Sequence, residues 1–263
     1  YELLFSYGIF CKEINNLKIA KNLFFLSIKE YPLKINSYIL LAEILRKENN
    51  INDAFKTLNA AKKIEKFNSE IDYNLSITFK TIKSFKEAIL SIDSAISLKP
   101  DNKKYQILKA DILIELAKNE DAKELLLNLK LSNENVLFFQ RQILFSKIFI
   151  NQMKFGLAEK ILLDLRKSFS KERILYLNLS DLYFKNKALE KGIVILKEGI
   201  KIFPNFVPLR FNLAVMYRNM GLLKLSVETH IEILLKEKLN SNSFYELSTM
   251  YDFSNHNDQL STC

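Results

Sequence analysis

Apolar and polar residues alternate along this chain with the spacing of an α-helix. In the stretch FKEAILSIDSAISLKPDN, residues 85–102, apolar side chains recur every three or four positions and so share one helix face. Comparable segments fill most of the chain, and short polar breaks such as KENNIND, KTIKSF and RNMGLL separate them. Glycine and proline, which sheets need at their many turns, are sparse. The pattern therefore predicts pairs of helices joined by turns, and an all-α fold.

The helix pairs repeat with a period of 34 residues. Windows starting at residues 1, 35, 69 and 103 align with one another, and after a two-residue insertion near residues 133–135 the windows resume. The alignment predicts seven full repeats and the first half of an eighth. Their boundaries are 1–34, 35–68, 69–102, 103–138, 139–172, 173–206 and 207–240, with the half repeat at 241–252.

Two positions of each repeat are always occupied by a small residue. The eighth and twentieth residues are Gly, Ala or Ser in all fifteen cases, although these types make up only 38 of the 263 residues. A larger side chain where two helix axes approach closely would cost roughly 1–3 kcal/mol of overpacking. We therefore expect the two helices of each repeat to meet at these positions, and Ala95 to let the next repeat approach. The positions are Gly8, Ala20, Ala42, Ala54, Ser76, Ala88, Ala110, Ala122, Ser146, Ala158, Ser180, Gly192, Ala214, Ser226 and Ser248.

Large residues recur on the same period. The twenty-fourth residue is Leu, Ile or Phe in six of seven repeats, and a proline closes three of them. This pattern of small, large and proline positions resembles the tetratricopeptide repeat. The resemblance implies a right-handed superhelical α-solenoid of antiparallel helix pairs over residues 1–252. The chain departs from the family at the fourth position, where the aromatic survives as Tyr38, Tyr176 and Phe244, and at the turn, where the glycine survives as Gly221.

Composition and charge narrow the possible functions. The net charge is +9, but the lysines are scattered rather than clustered, so we expect no nucleic-acid ligand. Cys11 and Cys263 lack metal or redox spacing, and His230 and His256 have no cluster of acidic partners. Phosphate loops, nucleophile motifs and apolar runs of membrane-spanning length are also missing from the sequence. We therefore expect no catalytic, cofactor-binding or metal-binding residue in this chain, which would not be an enzyme, and a cytoplasmic location.

The resemblance also implies a binding surface, because the first helices of such repeats line a concave groove. Three sets of residues would point into it: a basic row, an apolar middle, and amides that could hydrogen-bond a peptide backbone, similar to the asparagine ladder of O-GlcNAc transferases. A solvated polar face and burial between neighbouring helices are the alternatives for these sets. The basic row is Lys12, Arg46, Lys80 and Arg218; the apolar set is Ile107, Ile114, Ile143, Ile150, Leu177 and Phe184; the polar set is Asn74, Asn178, Asp181 and Asn212.

Two functions remain open from the sequence. The favoured one is a protein-interaction scaffold whose groove binds a peptide or a helix of a protein partner. The alternative is the non-catalytic arm of a larger bacterial transferase, a sulfotransferase or an O-GlcNAc-transferase-like glycosyltransferase, whose catalytic domain would lie beyond this chain. The polar tail at 253–263 and the residues before it resemble a junction to a sulfotransferase domain. The sequence leaves the partner and the oligomeric state undetermined.

Overall fold

The computed structural model describes residues 1–131, 136–237 and 240–260, with side chains described up to Met250. These residues form fifteen α-helices and no strand, so the predicted all-α fold class is confirmed. They fall into two compact units, unit 1 (Tyr1–Leu131) and unit 2 (Ser132–Cys263). The arrangement of all the repeats in one continuous array over residues 1–252 stays a prediction.

Unit 1 contains four helix pairs. Within it, each helix packs on the next one in the chain up to α8, and α5 also contacts α3 and α7. The helices are α1 (Glu2–Glu13), α2 (Leu17–Glu30), α3 (Ile35–Lys47), α4 (Ile51–Ile64), α5 (Ser69–Thr81), α6 (Phe85–Leu98), α7 (Lys103–Glu115) and α8 (Asn119–Leu127).

Unit 2 contains three helix pairs and a final long helix. The last helix continues to Leu260 rather than ending at residue 252, so the expected polar tail is helical through residue 260. The helices are α9 (Val136–Asn151), α10 (Phe155–Ser168), α11 (Arg173–Lys185), α12 (Leu189–Ile202), α13 (Val207–Asn219), α14 (Leu223–Lys236) and α15 (Ser241–Leu260).

Asparagine residues begin several helices of unit 1. The side-chain oxygen of Asn68 accepts hydrogen bonds from the amides of Glu70 and Ile71, at 3.0 and 3.2 Å. Asn16, at the start of α2, caps its helix in the same way. An asparagine cap satisfies amides that have no partner within the helix, which is why this residue type is favoured at that position.

The first helix of every repeat ends in the same left-handed turn. At the fifteenth position φ is positive in all seven repeats, and the next amide bonds back five residues, as from Asn50 to the Leu45 carbonyl at 2.8 Å. This is the Schellman arrangement of a helix C-terminus. The only glycine there is Gly221. The other residues are Asn15, Asn49, Lys83, Ala117, Met153 and Lys187.

The small residues lie where helices meet inside a repeat. All of those preceding Ser248 are buried. The hydroxyl of Ser76 donates to the Ala88 carbonyl, and the hydroxyl of Ser226 donates to the Ala214 carbonyl, both at 2.8 Å. A side chain of one helix thus reaches the backbone of the other, which requires the two helices to be very close.

A second close approach joins successive repeats. Ala95 is fully buried at this contact, and at the equivalent position of α12 a β-carbon on Gly199 would lie 3.0 Å from both the Tyr176 ring and Leu209. The core of unit 2 surrounds this point, with Tyr176 and Leu209 both fully buried. Small residues therefore set the spacing between helix pairs as well as within them.

The fourth position of the repeat carries a hydrogen-bond donor in several repeats, including some that lack the aromatic residue. In four repeats the donor reaches the carbonyl six residues earlier in the chain, which ties the start of the helix to the preceding loop. Asp72 cannot donate and is instead held by Lys62 and Ser94. The four pairs are Tyr38–Pro32 at 2.9 Å, Gln106–Pro100 at 2.6 Å, Tyr176–Ser170 at 3.0 Å, and Arg210–Pro204.

Candidate functional site

The basic row of unit 1 is bound by acids of the following repeat. Lys12 forms an ion pair with Glu43 at 2.6 Å, and Lys80 forms one with Asp111. Burial raises the pKa of the Glu43 carboxyl, but hydrogen bonds from Lys12 and Lys47 outweigh this effect and hold the pKa below its ordinary value. These cations therefore link neighbouring first helices and already have an acidic partner.

Arg46 is held even more fully. Its guanidinium donates to the carboxamide oxygen of Asn74 at 3.0 Å, to the Asn74 carbonyl at 3.3 Å and to the Thr78 hydroxyl at 3.2 Å. Burial lowers the pKa of Arg46, partly offset by the nearby negative charge of Glu43. Arg218, in unit 2, pairs in turn with Glu246 of α15. Carboxylate binding by this row would require breaking these contacts, and it stays a prediction.

Most of the predicted apolar set is buried. Four of its six members lie inside the helical layers, which is the alternative expected from packing between neighbouring first helices. Leu177 is partly buried and Phe184 is 39% exposed, so these two residues of α11 remain accessible. The buried members are Ile107, Ile114, Ile143 and Ile150.

The predicted amides are largely engaged within the protein. Asn178 is only 7% exposed and donates to the Ile174 carbonyl of its own helix at 2.8 Å. Asn212 donates to the Ser180 hydroxyl at 3.1 Å, which links α13 to α11. Asp181 is exposed and forms an ion pair with Lys185 one turn later, at 3.1 Å. The amides of unit 2 thus stabilise the helix layer, and their role in gripping a peptide stays a prediction.

Accessible apolar side chains remain on the first helices of unit 2. Ile174 is 40% exposed and shares a helix face with Leu177 and Phe184, at the second, fifth and twelfth positions of the repeat. The fifth positions of the next two repeats carry Phe211, which is partly buried, and Tyr245, which is 67% exposed. The inner apolar strip is defined here as these five residues.

Sequence reasoning had chosen only two members of this strip, Leu177 and Phe184. Tyr245 shares the fifth position of the repeat with Leu177, so the alignment contained a signal for Tyr245. The helices that carry the strip are neighbours, because α11 contacts α13 and the Arg218–Glu246 pair connects α13 to α15. The strip therefore lies on neighbouring helices of unit 2, and the ring of its partly buried member Phe211 also packs against the buried His230.

Unit 1 has a cleft that the sequence reasoning missed. Lys109 stands at the seventh position, where the other repeats carry Leu, Phe or Tyr, and it pairs with Asp93 at 2.7 Å. α6, α7 and α8 border an open cleft of about 460 Å³ here, and this ion pair forms part of its lining. Leu113 and Leu125 are among its apolar lining, and Asp121 is among its acidic residues. The unusual lysine at the seventh position, Lys109, was the feature of the sequence that could have indicated this cleft.

Metal and membrane sites find no support in the described part of the chain. Within residues 1–131, 136–237 and 240–260 no three His, Cys, Asp or Glu side chains lie close enough to hold a metal ion. None of the helices described there is long and apolar enough to cross a membrane.

Helix pairs repeated at a fixed period define the class of this protein, an α-helical repeat protein. A family model described as Tetratricopeptide repeat matches residues 175–206, which span most of α11 and all of α12. Residues 175–206 are therefore a tetratricopeptide repeat, and the resemblance that the 34-residue pattern predicted is confirmed.

Solved structures share this fold at low sequence identity. A tetratricopeptide repeat protein from Parabacteroides merdae ATCC 43184 is 15% identical, with 95% of this chain and 98% of that chain covered at a TM-score of 0.72. The human IFIT1 dimer with m7Gppp-AAAA is 14% identical, and the match covers 95% of this chain and 64% of that chain at a TM-score of 0.67. A chain of the APC/C hetero-tetramer Cut9–Hcn1 is 12% identical, and the match covers 91% of this chain and 47% of that chain at a TM-score of 0.63.

These likenesses show the fold alone. One of the two latter structures contains m7Gppp-AAAA and the other is a hetero-tetramer of two proteins, so one architecture accompanies different partners. No curated protein matches the chain in sequence. The matches give no support to an association with a sulfotransferase domain.

Proposed function

We propose that the chain is a protein-interaction scaffold that binds an apolar peptide segment of a partner protein on the inner apolar strip of unit 2. The observation that carries this proposal is the set of accessible apolar side chains on α11. The twelfth positions of the first three repeats, and Arg218 in unit 2, carry cations held by the next repeat, whereas α11 carries Phe184 at that position. Ile174 is also exposed on this face, and Leu177 between them is partly buried. Exposed apolar surface that is rimmed by polar residues is typical of protein-binding sites.

The polar groups around the strip support recognition of a peptide. Asp181 is exposed beside Phe184 on α11 and can meet a basic residue or a backbone amide of the ligand. Aromatic side chains dominate the binding energy of such surfaces, since each buries a large area at a small cost in side-chain entropy. Phe184 and Tyr245 are therefore the residues expected to contribute most.

The test begins with selection of peptides that bind the purified chain from a displayed random library, followed by measurement of their dissociation constants. Phe184→Ala should weaken binding about tenfold or more, because loss of an anchor commonly costs over about 1.4 kcal/mol. The matched control is Leu90→Ala on α6, which removes a 70% exposed apolar residue from unit 1. Peptides that bind Phe184→Ala normally, or that lose as much affinity with Leu90→Ala, would contradict the proposal.

The amides provide a separate test of how the peptide is held. Asn178 and Asn212 each use one N–H of the side-chain amide within the protein, which leaves the second N–H and the oxygen for a peptide backbone. If they hold the ligand backbone, combined Asn178→Ala and Asn212→Ala should weaken all selected peptides similarly, whatever their sequence. Unchanged affinities would remove the amide ladder and leave the apolar strip in place.

A further inference from the structure

A histidine occupies a core position of unit 2. His230 lies on α14 at the twenty-fourth position of its repeat and is completely buried. Six earlier repeats place an apolar side chain at this position, so the histidine is an exception within an otherwise regular pattern. Those residues are Phe24, Leu58, Ile92, Leu126, Leu162 and Leu196, and each is fully buried.

The imidazole of His230 sits between three helices. Its Nδ1 atom lies 3.2 Å from the hydroxyl of Ser243 on α15, and its ring meets the edge of Phe211 on α13 with 5.6 Å between ring centroids. The Nε2 atom is buried, and it has no hydrogen-bond partner among the described residues. Ser243 is itself completely buried, so this contact lies at the centre of the surface between α14 and α15.

This environment accepts the neutral ring and opposes the cation. A neutral imidazole has one donor nitrogen and one acceptor nitrogen, whereas the imidazolium must donate from both. Protonation here would place an N–H without an acceptor, and a positive charge, in a buried apolar site, which is costly. If the imidazole leaves this site, both of its ring nitrogens can donate hydrogen bonds to water.

The charged groups facing His230 largely cancel. Glu246 on α15 favours the cation and Arg218 on α13 opposes it, but these two side chains form an ion pair with each other. Burial lowers the pKa of His230, Glu246 raises it and Arg218 lowers it further, with a net shift downward. The desolvation of the ring is therefore the dominant effect.

We propose that His230 makes the docking of α15 onto α14 sensitive to acid. Well above the ordinary histidine pKa of about 6.5 the ring is neutral in both states, and docking is at its strongest. As the pH falls below that value, the undocked state binds a proton that the docked state excludes, so docking weakens. The docking equilibrium then falls up to about tenfold for each unit by which burial lowers the pKa.

Hydrogen exchange of the whole chain without ligand tests this proposal directly. After correction for intrinsic exchange rates, amides of residues 241–250 should lose severalfold more protection than those of α11 between pH 7.5 and pH 5.5. His230→Leu, which restores the apolar residue of the other repeats, should abolish that selective loss. An unchanged pH dependence in His230→Leu, or an equal loss in α11, would overturn the proposal.

Two further variants keep the test decisive if the leucine alters packing. His230→Asn retains a polar side chain that cannot titrate, and it should also lack the selective loss at pH 5.5. Glu246→Gln removes a titratable group of α15 without touching the imidazole, and it should retain the selective loss. Disappearance of the effect in Glu246→Gln, or its persistence in His230→Asn, would overturn the role of His230. These measurements do not depend on any peptide, so they stand apart from the proposed function.

Discussion

The left-handed turns between paired helices allow a reciprocal test of backbone strain. Ala117 adopts φ 59° and Gly221 adopts φ 76° at equivalent positions of two repeats. Ala117 is exposed, and a β-carbon added at Gly221 would meet no atom within 4 Å. Exchanging the two residue types therefore changes the backbone preference without changing packing. We expect Ala117→Gly to stabilise the chain and Gly221→Ala to destabilise it.

The magnitude follows from two opposing effects. A residue with a β-carbon pays about 1–2 kcal/mol in the left-handed region, and glycine avoids this strain. Glycine loses more conformational entropy on folding, which costs about 0.5–1 kcal/mol relative to alanine. The difference favours glycine, so the free energy of unfolding should rise by about 0.5–1 kcal/mol for Ala117→Gly and fall by a similar amount for Gly221→Ala.

Urea denaturation followed by circular dichroism measures both changes. Because a helical-repeat protein need not unfold in a two-state manner, protection of the α7 and α8 amides should be measured alongside the midpoint for Ala117→Gly. Ala60→Gly, within helix α4, is the control and should lose about 1 kcal/mol or more. Equal destabilisation by Ala117→Gly and Ala60→Gly would refute the reasoning, since it would show that position 117 gains nothing from glycine.

Three further changes probe the packing. Ala88→Leu should lower the free energy of unfolding by about 1–3 kcal/mol, because the larger side chain pushes two helix backbones apart. Lys80→Ala should lower it less, since it removes only a partly exposed ion pair, and equal shifts in thermal midpoint for the two variants would contradict this reasoning. Gly199→Ala should lower the thermal midpoint because its β-carbon would crowd Tyr176 and Leu209. Gly156→Ala should raise the midpoint, since its β-carbon would meet nothing within 4 Å and alanine favours the helix. The opposite order would show that the packing around Gly199 accommodates a methyl group. Lys109→Leu should change the urea midpoint little, since it restores the apolar residue type of the other repeats at the seventh position and leaves Asp93 partly in water. A loss above about 2 kcal/mol would show that the ion pair is essential.

Sequence alone predicted the helical pairs and their period because these depend on local spacing and on small residues. The helix bounds follow the 34-residue windows closely, and the matched family model covers one of those windows. The length of α15 was not predicted, because its polar composition beyond residue 252 carries no apolar period. The turn conformation at Lys83 and Ala117 was also missed, because neither residue type signals positive φ.

The candidate site was harder to predict than the fold. A residue's position in the repeat indicates which way its side chain points, but exposure depends on how closely the neighbouring first helix packs. Ile143 and Phe184 both occupy positions predicted to face the groove, yet one is buried and the other is accessible. Side-chain exposure therefore depends on contacts between repeats that a single window does not contain.

The ion pairs of unit 1 show that part of this missing information is nevertheless present in the sequence. Lys12 precedes Glu43 by 31 residues, and Lys80 precedes Asp111 by the same interval. In a 34-residue repeat this interval joins the twelfth position of one first helix to the ninth position of the next. Opposite charges at that interval predict a bridge between repeats, whereas a cation without such a partner is the better candidate for a ligand. Phe184 lies at the same twelfth position in unit 2, and an apolar side chain there cannot form the bridge. An exposed apolar residue at the twelfth position, such as Phe184, is therefore the better indicator of a binding surface in repeats of this kind.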